Sequence, residues 1–281
     1  MYKEVQGEHM EFYKVIADIN ELKWFYDHVL YKPQIGESLM ACLSCRNKRL
    51  SDEEKSVLKI SKAEMFHTEI SKPHHDQPYH WENFLAFISK FETNKLAYVT
   101  QSDMPYPDHS LVLYLYLNPC SEAKCVQDTL QRISAINADM IGAAINHSKD
   151  GVADSIWKMG TIANHIKSCH AQNPSQKIWL DFDIDMERYD DKAKDIIHSI
   201  TEKFFGEKSF VMIKTSGGVH VMVKKEKLHF NPNSYLEELR TSLVSYGIKE
   251  VEKNDNCMCA LPGTYQYGNP VFVLNKDDFS K

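Results

Sequence analysis

The chain has 281 residues, of which 43% are hydrophobic and 26% charged, and this near-average usage excludes collagen-like, coiled-coil and disordered classes. No apolar run approaches the roughly 20 residues of a membrane helix, and the charged start MYKEVQGEHMEFYK does not read as a signal peptide, so no membrane association is expected. A net charge of −6 excludes a broad duplex-binding face and leaves only local contacts with nucleic acid.

In chain order, apolar residues at helical spacing (Phe12, Val15, Ile16, Ile19, Leu22, Phe25, Tyr26, Val29, Leu30) predict a helix over 8–31. Residues 51–62 and 81–92 read as two further helices, separated by the proline-marked loop KPHHDQPYH. His67, His74, His75 and His80 are expected on a solvent-facing loop. The segment RNKRLSDEEKSVLKISK (46–62) carries six basic and three acidic residues, which fits either a solvated helix face or a phosphate-facing patch. LAYVTQ and SLVLYLYLNP read as strands, and 121–150 and 153–170 as helices. After the polar break AQNPSQ come a strand KIWLDFDID, an amphipathic helix over 190–205, strands SFVMIK and HVMVKK joined through TSGG, a helix over 233–246 and a last strand PVFVL. Hairpins mixed with helical crossovers predict an α+β fold. The expected organisation is an N-terminal helical region over 1–80 and a core over 81–281 in two submodules, with a break near 170–177.

Seven cysteines in irregular spacing do not form a secreted disulfide framework, so a reducing cytoplasm is expected. Cys42-x-x-Cys45 has zinc-like spacing, but no second Cys/His pair follows at the usual distance, so no structural zinc is expected.

Three stretches carry the chemistry. In Trp179-Leu-Asp-Phe-Asp-Ile-Asp185, alternation along a strand places Asp181, Asp183 and Asp185 on one face and Leu180, Phe182 and Ile184 on the other. Successive carboxylates then lie about 6–7 Å apart and raise one another's pKa unless a cation neutralises them. Their oxygen donors suit Mg²⁺ or Mn²⁺. The bland alternative is a strand end running into solvent. In Lys214-Thr-Ser-Gly-Gly-Val-His220, Gly217 and Gly218 allow a tight turn that aims amide N–H groups at an anion. Lys214, Ser216 and His220 add a point charge, a hydroxyl and an imidazole. Together these are the parts of a triphosphate cradle, and the alternative is an ordinary glycine hairpin. The third stretch, Cys259-Ala-Leu-Pro-Gly-Thr-Tyr-Gln-Tyr-Gly268, reads as a tight turn ahead of the last strand.

In this order and at these intervals, DFDID, SGGVH and ALPGTYQYG resemble the archaeo-eukaryotic primase superfamily over about 177–274. The resemblance implies a primase-polymerase-like protein of phage or plasmid type. Its fold would be an N-terminal α/β module and a C-terminal RRM-like module packed around a central cleft. It implies two divalent metals, Mg²⁺ or Mn²⁺, on Asp181 and Asp183 with a third carboxylate ahead of the LPGT turn. Asp255 is the candidate for that carboxylate, with Glu252 behind it, and Asp185 is the alternative. Lys214, Ser216, Gly217, Gly218 and His220 would bind the incoming nucleotide, and Asp181, Asp183 and His220 would be catalytic.

The expected activity is template-directed transfer of an NTP or dNTP to a primer or initiating nucleotide on single-stranded DNA. The chain contains no GxxxxGK[ST] motif, so unwinding would fall to a separate replicative helicase. The protein would act in the cytoplasm, that of the host if it is viral. Two rivals remain open at the level of sequence. One is a catalytically inactive replication-initiator or nucleic-acid-binding module of the same fold. The other is a metal-dependent nuclease, which would have no need of a triphosphate cradle.

Overall fold

Local capping decides where the first elements begin. The computed structural model describes residues 11–74, 77–228, 231–254 and 257–278. The helix expected over 8–31 is, among described residues, only α1 (Ile19–His28), because the Asp18 side chain accepts the amide N–H groups of Asn20 and Glu21 and so sets its start. Upstream, Phe12 and Ile16 make single bridges to Asn94 and Thr264. That extended segment buries Tyr13 and Val15, and apolar spacing alone could not separate it from a helix.

The region 1–80 is not the helical region expected. After α1 come the strand β1 (Glu37–Cys45), the short helix α2 (Asp52–Leu58) and the strand β2 (Glu64–Ser71). All of β1 after Glu37 is buried, so its sequence has no alternation to give it away. A capping box between Ser51 and Glu54 starts α2. His67 lies on β2 rather than on a loop, buried, with its Nε2 2.8 Å from Glu69 Oε1. His74 and His80 are exposed, and His75 lies outside the described residues.

Next come α3 (Trp81–Ser89), β3 (Leu111–Tyr116), the two-residue β4 (Cys120–Ser121), and three consecutive helices, α4 (Glu122–Ile145), α5 (Lys149–Gly160) and α6 (Ile162–Gln172). LAYVTQ is not a strand. Asn94 caps a single 3₁₀ turn at Lys95–Ala97, and Val99 makes one bridge to Pro105.

The C-terminal part reads β5 (Trp179–Met186), α7 (Asp191–Phe205), β6 (Phe210–Lys214), β7 (Gly218–Lys224), α8 (Pro232–Ser242), β8 (Ile248–Asn254), β9 (Met258–Ala260), β10 (Tyr265–Gln266), β11 (Asn269–Pro270) and β12 (Phe272–Val273). The fold is α+β, with two antiparallel sheets.

One sheet runs β11-β10-β3-β1-β2, with β4 beside β1 and β9 beside β3. Its strands thus come from both ends of the chain. The other runs β12-β6-β7-β5-β8. Within it, β5-α7-β6-β7-α8-β8 forms the double split βαβ arrangement of ferredoxin-like sheets, with β5 and β7 central. Helices α7 and α8 cover one face, where Phe182, Ile184, Val221, Ile197, Tyr235 and Leu239 share one core. Fully burying such an apolar side chain contributes about 1.5–3 kcal/mol. A one-residue slip of β5 would replace Phe182 and Ile184 by aspartates, so the apolar face locks the register.

On the opposite face, Trp179, Val211, Ile213 and Met222 join the core of the first sheet. The aspartate face of β5 therefore opens toward the first sheet. Among the described residues no helix is long and apolar enough to cross a membrane.

Candidate active site

The sheet register assembles the site. On β5, Asp181, Asp183 and Asp185 stand opposite Met222, His220 and Gly218 of β7. Across the other edge they stand opposite Asn254, Glu252 and Glu250 of β8. Directly opposed residues point to one face. The three aspartates, His220, Asn254 and two glutamates therefore share a single surface.

Asp181 is fully buried at the base of this surface. Its Oδ1 and Oδ2 lie 3.0 and 3.1 Å from His220 Nδ1, and Asn254 Nδ2 donates to Oδ2 at 3.2 Å. Asp183 is more open, with Oδ1 3.4 Å from His220 Nε2. Burial pushes the Asp183 carboxyl above its ordinary value. Asp185 and Asp181 add to that rise, while His220 and Lys48 oppose it. For His220, burial pulls the imidazole down, but the charge and hydrogen bond of Asp181, with Asp183 and Asp185, outweigh it and hold the ring up at about 9. Glu250 is raised by its neighbour Glu252. The result is a crowded negative surface built around the His220 cation.

The glycines of the TSGG turn are explained by close approach. A Cβ on Gly218 would sit 1.8 Å from the Ile184 carbonyl oxygen, and one on Gly217 would sit 2.7 Å from Asp185 Oδ1. Gly218 thus lets β7 pair tightly with β5, and Gly217 makes room for the Asp185 carboxylate. The Ser216 amide donates to Gln266 Oε1 at 2.7 Å, and its hydroxyl accepts from Arg49 Nη2 at 3.0 Å.

Lys214 does not join this group. It follows Phe210 and Met212 on the helix-covered face of β6. Its ammonium donates to the carbonyls of Thr215 and Gly218 and sits 4.7 Å over the Tyr189 ring. One position along a strand reverses the face, and that parity removes Lys214 from the cleft.

The positive charge comes instead from the other sheet. Arg46, Lys48 and Arg49, just after β1, line the same cleft as Asp183, Asp185 and Ser216. The Arg49 guanidinium lies 4.4 Å over the Tyr267 ring, and Arg46 donates to the Tyr114 hydroxyl at 3.0 Å. The basic run at 46–62 was the signal for these residues. What sequence reasoning missed is that three of its members face the aspartates. It also missed Asn254, Gln266 and Tyr267, which carry no signature until the strands are paired.

The ALPGTYQYG stretch has two roles. Gly263 takes φ +85, and its carbonyl accepts from Ala17 and Asp18 at 2.8 and 3.1 Å. A Cβ there would lie 2.5 Å from the Leu22 amide nitrogen, so the turn clamps the start of α1. Gln266 and Tyr267 then reach the cleft. Asp255, the first candidate for a third carboxylate, lies outside the described residues. Asp185 lines the cleft, and Glu252 stands directly across from Asp183. Cys42 and Cys45, three apart on β1, fall on opposite faces of that strand and cannot chelate together.

The carboxylates of this surface present several oxygen donors on one face, with Asp183 part-exposed, while the His220 nitrogens beside them are turned to Asp181 and Asp183. That chemistry fits a hard divalent cation such as Mg²⁺ or Mn²⁺. The family models, the curated proteins and the solved structures contain no match to this chain.

Proposed function

We propose that this protein is a metal-dependent nucleotidyltransferase of the primase-polymerase kind, with its catalytic core built around the β5–β7 cleft. The observation that carries the reading is one juxtaposition. A carboxylate surface suited to divalent cations faces an arginine- and lysine-lined wall across a cleft whose floor is the Ser216–His220 turn. Opposite charges held apart in this way match a nucleoside triphosphate, which brings both its own negative charge and a cation.

Asp183 and Asp185, with Asp181 at their base, would hold the cation, which when bound neutralises phosphate charge and lowers the pKa of an attacking hydroxyl. The rest falls to the chain. Arg49 presents a planar fork to phosphate oxygens, pre-aimed by Tyr267 and Ser216. Arg46 and Lys48 add charge along the same wall. His220 is held protonated by Asp181, and so presents a charged donor at neutral pH. Gly217 leaves the approach to Asp185 open. A hydroxyl oxygen of a primer end or initiating nucleotide then bonds to the α-phosphorus, the bond to the bridging oxygen breaks, pyrophosphate leaves and the hydroxyl proton passes to water.

The template in this reading is single-stranded DNA, gripped locally because the chain is acidic overall. The substrate is an NTP or dNTP, and a separate helicase opens the duplex in the cytoplasm. The test is incorporation of labelled NTP or dNTP on primed and unprimed single strands with Mg²⁺ or Mn²⁺. Synthesis by the natural sequence and none by Asp183→Asn is the expected result. No incorporation under any of these conditions would refute the assignment.

A further inference from the structure

A second cluster of metal-ligating side chains lies outside the carboxylate cleft. Cys120 on β4, Cys125 in the first turn of α4 and His170 in the last turn of α6 bring two Sγ atoms and a ring nitrogen within 4.8 Å of one another. The two sulfurs are 3.1 Å apart, and both are free thiols. His170 Nδ1 lies 2.9 Å from the Ile166 carbonyl oxygen. With Nδ1 donating there, Nε2 is the nitrogen left with a lone pair, the arrangement by which a backbone carbonyl orients a metal-binding histidine. Cys169 is buried in the same cluster, its Sγ now 3.2 Å from His165 Nε2. Two main-chain contacts pin these pieces together: Cys120 bridges Pro174, and the Ser121 amide donates to the Asn173 carbonyl at 2.9 Å.

The helices that these residues join have little core of their own. From Glu122 to Gln172 the buried residues of α4, α5 and α6 are Cys125, Ile136, Ser155 and Cys169. Leu130, Ile145 and Trp157 are exposed at 58%, 72% and 68%. An antiparallel helical unit that buries so few apolar side chains needs another source of stability, and small units obtain it from a disulfide or a structural metal. Of those buried residues, Cys125 and Cys169 are themselves members of the thiol cluster.

We propose that Cys120, Cys125, Cys169 and His170 bind a structural Zn²⁺, which fastens β4 and the start of α4 to the end of α6. Thiolate and imidazole donors in a closed four-ligand set select zinc over the hard cations suited to the carboxylate cleft. Cys169 completes the set by turning its thiol from His165 to the metal. The site is independent of the proposed nucleotidyl transfer.

The test uses the full chain. Metal analysis of protein purified from zinc-supplemented cells should find about one zinc per chain. Replacement by Co²⁺ should give the thiolate-to-cobalt charge-transfer band and the strong visible bands of a tetrahedral site. Cys125→Ser and His170→Asn should each lose the zinc, and Cys169→Ser should weaken the charge-transfer band by one thiolate's share. Removal of zinc by a chelator should speed hydrogen exchange across 122–172 by about tenfold or more while β5 to β7 keep their protection. Metal content and the cobalt spectrum of the unmutated chain decide the matter even if the variants do not fold. Absence of stoichiometric zinc, absence of the charge-transfer band, or a Cys120–Cys125 disulfide in the purified protein would overturn the proposal.

Discussion

The His220 ring bridges two aspartates, with Nδ1 3.0 Å from Asp181 Oδ1 and Nε2 3.4 Å from Asp183 Oδ1. The ring links the carboxylates of β5 to the glycine turn that precedes β7, so its charge state affects both stability and ligand binding.

Burial lowers the affinity of this imidazole for its proton, and the aspartates reverse that to place its pKa at about 9. A folded pKa above the unfolded value near 6.5 means that the stabilisation is complete below about pH 6.5 and is lost as pH rises through about 9. In chelator-treated buffer, the gap in unfolding free energy between the natural sequence and His220→Gln should be of order 3 kcal/mol at pH 6. It should close by about pH 9.5. Denaturant melts across this range provide the measurement, and a gap independent of pH would show that the ring is not held charged.

Asp181 and Asp183 should respond differently to substitution. Asp181 is buried and satisfies both His220 and Asn254, so Asp181→Ala strands a buried cation and should cost about 3–5 kcal/mol. Asp183 is part-exposed, and Asp183→Asn should leave the melting temperature within a few degrees while removing nucleotide incorporation. Melting curves run beside incorporation assays separate the two. Equal destabilisation by both substitutions would contradict the burial difference.

Arg49 is the test of the basic wall. Its fork already meets Ser216 and stacks on Tyr267, so it is placed without a ligand. Losing one charged hydrogen bond to phosphate costs about 1.5–3 kcal/mol, or roughly one to two decades of affinity. Arg49→Ala should weaken NTP binding by that factor and leave binding of a single-stranded oligonucleotide nearly unchanged. His220→Ala should follow the same pattern. The reverse pattern, lost oligonucleotide binding with NTP binding intact, would assign this wall to the template. Lys214→Ala should leave NTP affinity within about twofold, because its ammonium serves the far side of the sheet.

Two glycines give opposite expectations. A Cβ on Gly218 would overlap the Ile184 carbonyl oxygen at 1.8 Å. Gly218→Ala should therefore cost about 3 kcal/mol or more, the upper end for overpacking. Gly142 lies inside α4, where an added Cβ would meet no heavy atom within 4 Å. Gly142→Ala should stabilise its helix by about 0.5–1 kcal/mol. Chemical denaturation of the two variants compares them directly.

The features legible along the chain were local and periodic. Alternation in WLDFDID placed three carboxylates opposite an apolar face, and the face is apolar because Phe182 and Ile184 must enter the core with α7 and α8. The i, i+3, i+4 spacing set α7, and TSGG marked a turn at which only glycine fits. Which elements share a sheet was settled in three dimensions. β1 gave no periodic signal because it is buried on both sides, yet it carries Arg46, Lys48 and Arg49 to the cleft. Asn254 and Gln266 became site residues only through strand pairing over long separations, and the same pairing set Glu252 directly opposite Asp183. Cys120, Cys125 and His170 met only because three helices fold back on themselves. Spacing along a chain encodes the face a side chain takes within one element. It does not encode which element lies opposite, because that is settled by burial of whole faces in a common core.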